Sequence, residues 1–151
     1  SWARRCVYET GIIVDDVFIQ SGFSTYEPKY CLWSKLFAYH DMIQYVEDAR
    51  IVITHGGPAS FIMPLQIGKI PIVVPRQKRF GEHVNDHQIE FVRNVVERMG
   101  TVICVENIEM LGDIINNYDK FADGMKNRMS SNNVRFNSAI EKLVKHLFED
   151  V

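Results

Sequence analysis

The chain predicts an α/β fold, a doubly wound parallel sheet followed by C-terminal helices. Three observations carry this. Ile51, Val52, Ile53 and Thr54 form a short apolar run that passes without a gap into His55-Gly56-Gly57-Pro58. From Ala59 to Ile67 the sequence can be helical, with Pro58 at the first helical position, where a missing N–H costs nothing. A second apolar run, Ile70 to Val74, follows Gly68 and Lys69. Strand, helix and strand in that order make a βαβ unit, with parallel strands and a right-handed crossover.

The chain's 151 residues fit one domain, and 46% hydrophobic content is enough for a core. A net charge of −2 gives no basic footprint for nucleic acid. No apolar run approaches the roughly 20 residues that a membrane span needs. Cys6, Cys31 and Cys104 are scattered and lack metal-ligand spacing, which fits a reducing compartment. Ser1 to Arg5 is followed by no apolar segment of the kind a signal peptide carries. A cytoplasmic protein is expected.

Taken in order, residues 1–16 are the least readable. Val17 to Gln20 reads as a short strand ending at Ser21-Gly22, and Phe23 to Trp33 as a loop. Leu36 to Tyr39 is a brief strand candidate. Asp41 is placed to cap a helix whose inner face is Met42, Ile43, Val46 and Ala49. Phe91, Val92, Val95, Val96 and Met99 recur at helical spacing after Asn85, and Gly100 ends that run. Thr101 to Val105 is the last strand, and Asn107 caps a helix bearing Leu111, Ile114, Ile115 and Tyr118. Residues 119–151 are helical by pattern, with apolar positions from Phe121 to Phe148. The main domain is therefore expected over 17–118, with a helical tail.

Ligands in such sheets sit beyond the carboxyl ends of the strands. His55-Gly56-Gly57 and Pro75-Arg76 both lie at such ends, and Gly81-Glu82-His83-Val84-Asn85-Asp86-His87-Gln88 follows closely. The glycines let a backbone approach a ligand, and the N–H groups of Ala59 and Ser60 stand at the positive end of a helix dipole, a phosphate site. Each residue also has a plainer use. Gly56-Gly57 serves equally as an ordinary strand-to-helix turn, and Asn85-x-x-Gln88 matches a capping box. His83 and His87 lack a third ligand, so no metal is expected.

HGGPAS after a strand, then IPIVVPR, then EHVNDHQ, with VFIQSG and LFAYHDMIQYVEDARIVITHGG upstream, resembles the donor-binding, Rossmann-like C-terminal half of GT-B glycosyltransferases of the family 28 type. The likeness runs roughly from Val17 to Val105. It is nearest to the small subunits of two-component enzymes, those of the dolichol-pathway N-acetylglucosaminyltransferase and of bacterial capsular or exopolysaccharide β-glycosyltransferases. Members of this type begin with a strand and a glycine turn, and residues 1–16 show none, so a divergent or truncated N-terminus is expected.

The resemblance implies roles. Gly56, Gly57, Ala59 and Ser60, with Arg76, would hold the donor diphosphate, and His55 would be the catalytic group beside it. Tyr39 and His40 match the position that reads the uracil edge. Glu82, His87 and Gln88 would grip the donor sugar. Met63, followed by Pro64, stands where a polar side chain often holds the ribose. The implied activity is metal-independent, inverting hexosyl transfer from a UDP-sugar, with no cofactor. The acceptor, a lipid-linked sugar, would come with a membrane-associated partner subunit, which would hold the chain at the cytoplasmic membrane face. A non-catalytic nucleotide-sugar-binding or regulatory subunit, and another sugar-nucleotide enzyme such as an epimerase, remain the alternatives.

Overall fold

Residues 16–126 are described by the computed structural model. The elements are β1 (Phe18–Gln20), β2 (Leu32–Ser34), α1 (Tyr39–Asp48), β3 (Ile53–His55), α2 (Pro58–Gln66), β4 (Ile72–Val74), α3 (His87–Met99), β5 (Ile103–Cys104) and α4 (Leu111–Asn116). A further helical run, α5, covers 118–126. All strand pairs are parallel. β3, β4 and β5 make one sheet with β4 in the middle, and β1 pairs with β2 in a second.

The centre of the fold is β4, and every residue from Ile70 to Pro75 is buried. Ile72 and Val74 enter one layer with Ile103, Leu111, Ile115, Tyr118 and Ala122. Val73, on the opposite face, packs with Phe61, Val92 and Val102. Helices α4 and α5 therefore cover one face of the sheet, and α2 and α3 the other. A strand covered on both faces needs an unbroken apolar run, which is why IPIVVP shows no alternation. The Tyr118 hydroxyl reaches from α5 to the Ile70 carbonyl at 2.8 Å, so the layer holds its one phenol satisfied.

The βαβ reading holds, with strands somewhat shorter than expected. α2 begins at Pro58, and Pro64 lies buried inside it; a proline there removes one intrahelical donor. Gly100, with φ 59°, ends α3 in the left-handed conformation. The Asn107 carboxamide accepts the Glu109 N–H at 3.2 Å and caps the turn that leads into α4.

Four expectations are corrected. The supposed loop between Phe23 and Trp33 contains β2, which pairs Leu32 with Phe18 and Ser34 with Gln20. The strand candidate at Leu36–Tyr39 is not a strand; Gln20 Oε1 takes the Phe37 N–H at 3.0 Å, and Tyr39 already starts α1. Asp41 lies in the first turn of α1 and not at its cap, which is Ala38. The sheet is divided in two. Met42, Ile43, Val46 and Ala49 do form the more sheltered face of α1, and the Lys69 ammonium binds the Glu47 and Ala49 carbonyls at its C-terminal end, where the dipole favours a cation. Among the described residues no helix is long and apolar enough to cross a membrane. The expectations for residues 1–15 and for 127–151, Phe136 to Phe148 included, lie outside the described residues.

Candidate functional site at the carboxyl ends of two strands

His55 is the last residue of β3, and register sets it opposite Val74. The chain then turns through Gly56 and Gly57 into α2. Gly57 is the N-cap, with φ −76° and ψ 132°, so its backbone would suit any residue. What requires glycine there is space, because a Cβ would lie 2.4 Å from His55 Cε1. The Gly57 N–H donates to His55 Nδ1 at 2.9 Å. The ring is thereby assigned as the tautomer with its proton on Nε2.

Of the donors expected to face a phosphate, Ser60 turns inward. Its N–H donates to the Gly57 carbonyl at 3.1 Å, and its hydroxyl to the same oxygen at 2.6 Å, with the His55 carbonyl at 3.1 Å. The Ala59 N–H finds no acceptor among the described residues. At the positive end of α2, that amide is the one open to an anion.

Arg76 comes from the end of β4. One terminal guanidinium nitrogen lies 3.3 Å from His55 Nδ1 and 3.4 Å from Nε2, against the ring rather than along one lone pair. Burial, and after it the Arg76 charge, hold the His55 pKa below the ordinary imidazole value. Arg76 Nε is buried and has no partner among the described residues. The Arg76 N–H donates to Gln88 Oε1 at 3.1 Å. That bond fixes the amide orientation, so the Gln88 NH2 group is left for a ligand oxygen.

The capping-box reading of Asn85 and Gln88 is thus corrected: the N-cap of α3 is Asp86, and Gln88 reaches across to β4 instead of back to the helix start. Glu82 Oε2 accepts the Gln77 N–H at 3.3 Å, and burial raises the Glu82 pKa against that bond. His87 opens α3 as an exposed residue 3.5 Å from Glu90. Tyr39 and His40 open α1, also exposed, and make no hydrogen bond to the His55–Arg76 pair among the described residues. Among those residues no cluster of metal-ligating side chains occurs. A groove of about 450 Å³ past β5, lined by Val96, Cys104, Glu106, Met110 and Ile114 among others, involves none of the predicted residues.

Sequence reasoning missed Asp86, whose carboxylate accepts the Lys78 N–H at 2.8 Å, and Gln77, whose buried amide donates to the Glu106 carbonyl at 2.6 Å. Asp before a helical run is a cap signal, and it was available. Nothing local marks Gln77.

The arrangement offers an unpartnered helix N-terminal amide, a guanidinium and an imidazole at the carboxyl ends of β3 and β4, with an amide donor on Gln88. It can hold an oxyanion and a neighbouring hydroxyl. The profile of the glycosyltransferase family 28 C-terminal domain matches residues 7–147 of the chain. No curated protein and no solved structure matches it.

Proposed function

From the premise that the chain belongs to the glycosyltransferase family 28 C-terminal domain family, we propose that it binds a UDP-sugar at the carboxyl ends of β3 and β4 and serves its transfer to a lipid-linked acceptor. The observation that supports this most is the meeting of Arg76 with His55 beside the open Ala59 amide, with Gln88 joined to the Arg76 backbone.

In this reading the diphosphate lies on the turn from Gly56 to Ser60. As the sugar bond breaks, negative charge grows on the departing phosphate. The Arg76 guanidinium and the Ala59 N–H are fixed beforehand where that charge develops, which lowers the barrier more than mobile water would. His55 stands beside the leaving group. The Gln88 NH2 and His87 hold sugar hydroxyls, and Tyr39 and His40 meet the base. The acceptor hydroxyl attacks from the opposite face, with inversion, and its general base belongs to an acceptor-binding partner subunit at the cytoplasmic membrane face. The likeness to two-component enzymes supports the partner. A non-catalytic nucleotide-sugar binder is the second reading, favoured by Met63, a partly buried thioether in α2 where a ribose contact is expected.

Calorimetric titration with UDP, UDP-GlcNAc, UDP-Glc and UDP-Gal tests the site. UDP should bind the wild type, and Arg76→Ala should weaken it at least about tenfold. Gln88→Ala should weaken UDP-sugar more than UDP. No UDP binding by the folded chain would sink the proposal. Transfer to a lipid acceptor by the chain alone would remove the partner from it, and binding without transfer in the presence of a partner would favour the second reading.

A further inference from the structure

Three consecutive backbone N–H groups follow β4, and each ends on a side-chain oxygen of the segment 82–88. Arg76 donates to Gln88 Oε1 at 3.1 Å, Gln77 to Glu82 Oε2 at 3.3 Å, and Lys78 to Asp86 Oδ1 at 2.8 Å. Gln77 is buried, so its donor needs a partner that solvent does not supply. Its side-chain amide also ties this stretch to the Glu106 carbonyl past β5.

One of the three acceptors forgoes a local use. Asp86 is the N-cap of α3, yet its carboxylate makes no cap bond. Gln88, at the second helical position, reaches across to the Arg76 N–H. A cap is a dependable helix contact, and setting it aside at Asp86 points to a tertiary task.

That task concerns Arg76. Apart from the His55 ring, its guanidinium makes no hydrogen bond among the described residues, its Nε is buried bare, and the Glu82 carboxylate acts on it through charge alone. Beyond that ring contact no side-chain hydrogen bond aims it, so its direction depends on where its backbone is held. We infer that Glu82 and Asp86 are positioning residues for Arg76: together with the Gln88 oxygen they fix residues 76–78 and so set the guanidinium against His55. The inference rests on the proposed donor site and moves Glu82 one step back from the sugar.

The experiment combines amide hydrogen exchange by NMR on the ligand-free chain with UDP titration of Glu82→Ala and Asp86→Ala, each with and without Arg76→Ala. Exchange should quicken at Gln77 in the first variant and at Lys78 in the second. Each should weaken UDP about five- to tenfold. That loss should vanish in the Arg76→Ala background, and Asp86→Asn, which keeps an acceptor oxygen, should restore affinity. Loss of equal size with and without the Arg76 side chain would overturn the inference, as would unchanged exchange at Gln77 and Lys78. If no form binds UDP, the donor site itself falls, and the Arg76 Nε resonance decides: a shift in Asp86→Ala supports the positioning role, and an unmoved resonance ends it.

Discussion

The Gly57 N–H and His55 Nδ1 are joined at 2.9 Å, so the imidazole ending β3 holds an amide of the turn that follows it. Protonation of Nδ1 would set a donor against a donor and a cation beside Arg76. Burial first and Arg76 second keep the folded pKa below 6.5. The stability that depends on the neutral ring is complete above that ordinary value and is lost as pH falls through the lowered one. Between about pH 7.5 and about pH 5 the urea midpoint of the wild type should drop further than that of His55→Asn. A bound diphosphate reverses the sign, because an anion favours the imidazolium, so UDP-sugar affinity should rise over the same interval in the wild type alone. Parallel pH profiles for the two proteins would contradict both expectations.

Gly56 and Gly57 should fail differently. A Cβ at Gly56 would meet Val92 Cγ2 at 3.0 Å and the Gln88 and Pro75 Cβ atoms at 3.2 Å, all in packed surroundings. Gly56→Ala should cost about 1–3 kcal/mol of stability by overpacking. At Gly57 the obstacle is a ring only partly covered, which can swing away. Gly57→Ala should stay folded, release His55 so that its pKa climbs toward the ordinary value, and lose UDP affinity about tenfold. Denaturant melts and an NMR titration of His55 separate the two outcomes; equal destabilisation by both would refute the distinction.

Tyr118→Phe leaves the buried Ile70 carbonyl without its 2.8 Å donor at the edge of the core. The loss should be about 1–2 kcal/mol in urea unfolding, with UDP affinity unchanged, since this contact lies in the layer opposite α2 and α3. A change below about 0.3 kcal/mol would mean that another donor replaces the phenol.

Cys104 should be a slow nucleophile. Burial, with the Glu106 charge second, pushes its thiol up to about 11. The thiolate fraction near pH 8 is then about one in a thousand, so iodoacetamide should label Cys104 roughly a hundredfold more slowly than a thiol at the ordinary value of 9.0. Peptide mass spectrometry over a time course reads this directly, and labelling as fast as free glutathione would contradict it.

The central βαβ unit was legible because it is long and locally consistent: an apolar run, a glycine turn, a proline at the first helical position and a second apolar run. Its two strands, the Gly100 stop and the Asn107 cap all appear close to where the pattern puts them. β2 was not legible. The three residues Leu32-Trp33-Ser34 hold no period, and their strand state comes from pairing with Phe18–Gln20. Likewise the cap of α1 fell at Ala38, a residue with no side-chain acceptor, because Gln20 fixes the preceding Phe37 N–H from another strand. Gln88 misled for the opposite reason. Its local pattern had a ready use, and a partner twelve positions away outweighed it.

The register between β3 and β4 carries one more consequence. The Ile72 N–H donates to the Val52 carbonyl, and parallel rungs recur every two residues, so the N–H of residue 76 would next be due at the Gly56 carbonyl. Gln88 takes that rung. The amide thus works as the stop on a zipper, ending the backbone ladder of the two strands one rung early. A side chain from the third helix therefore closes the ladder where the candidate site begins.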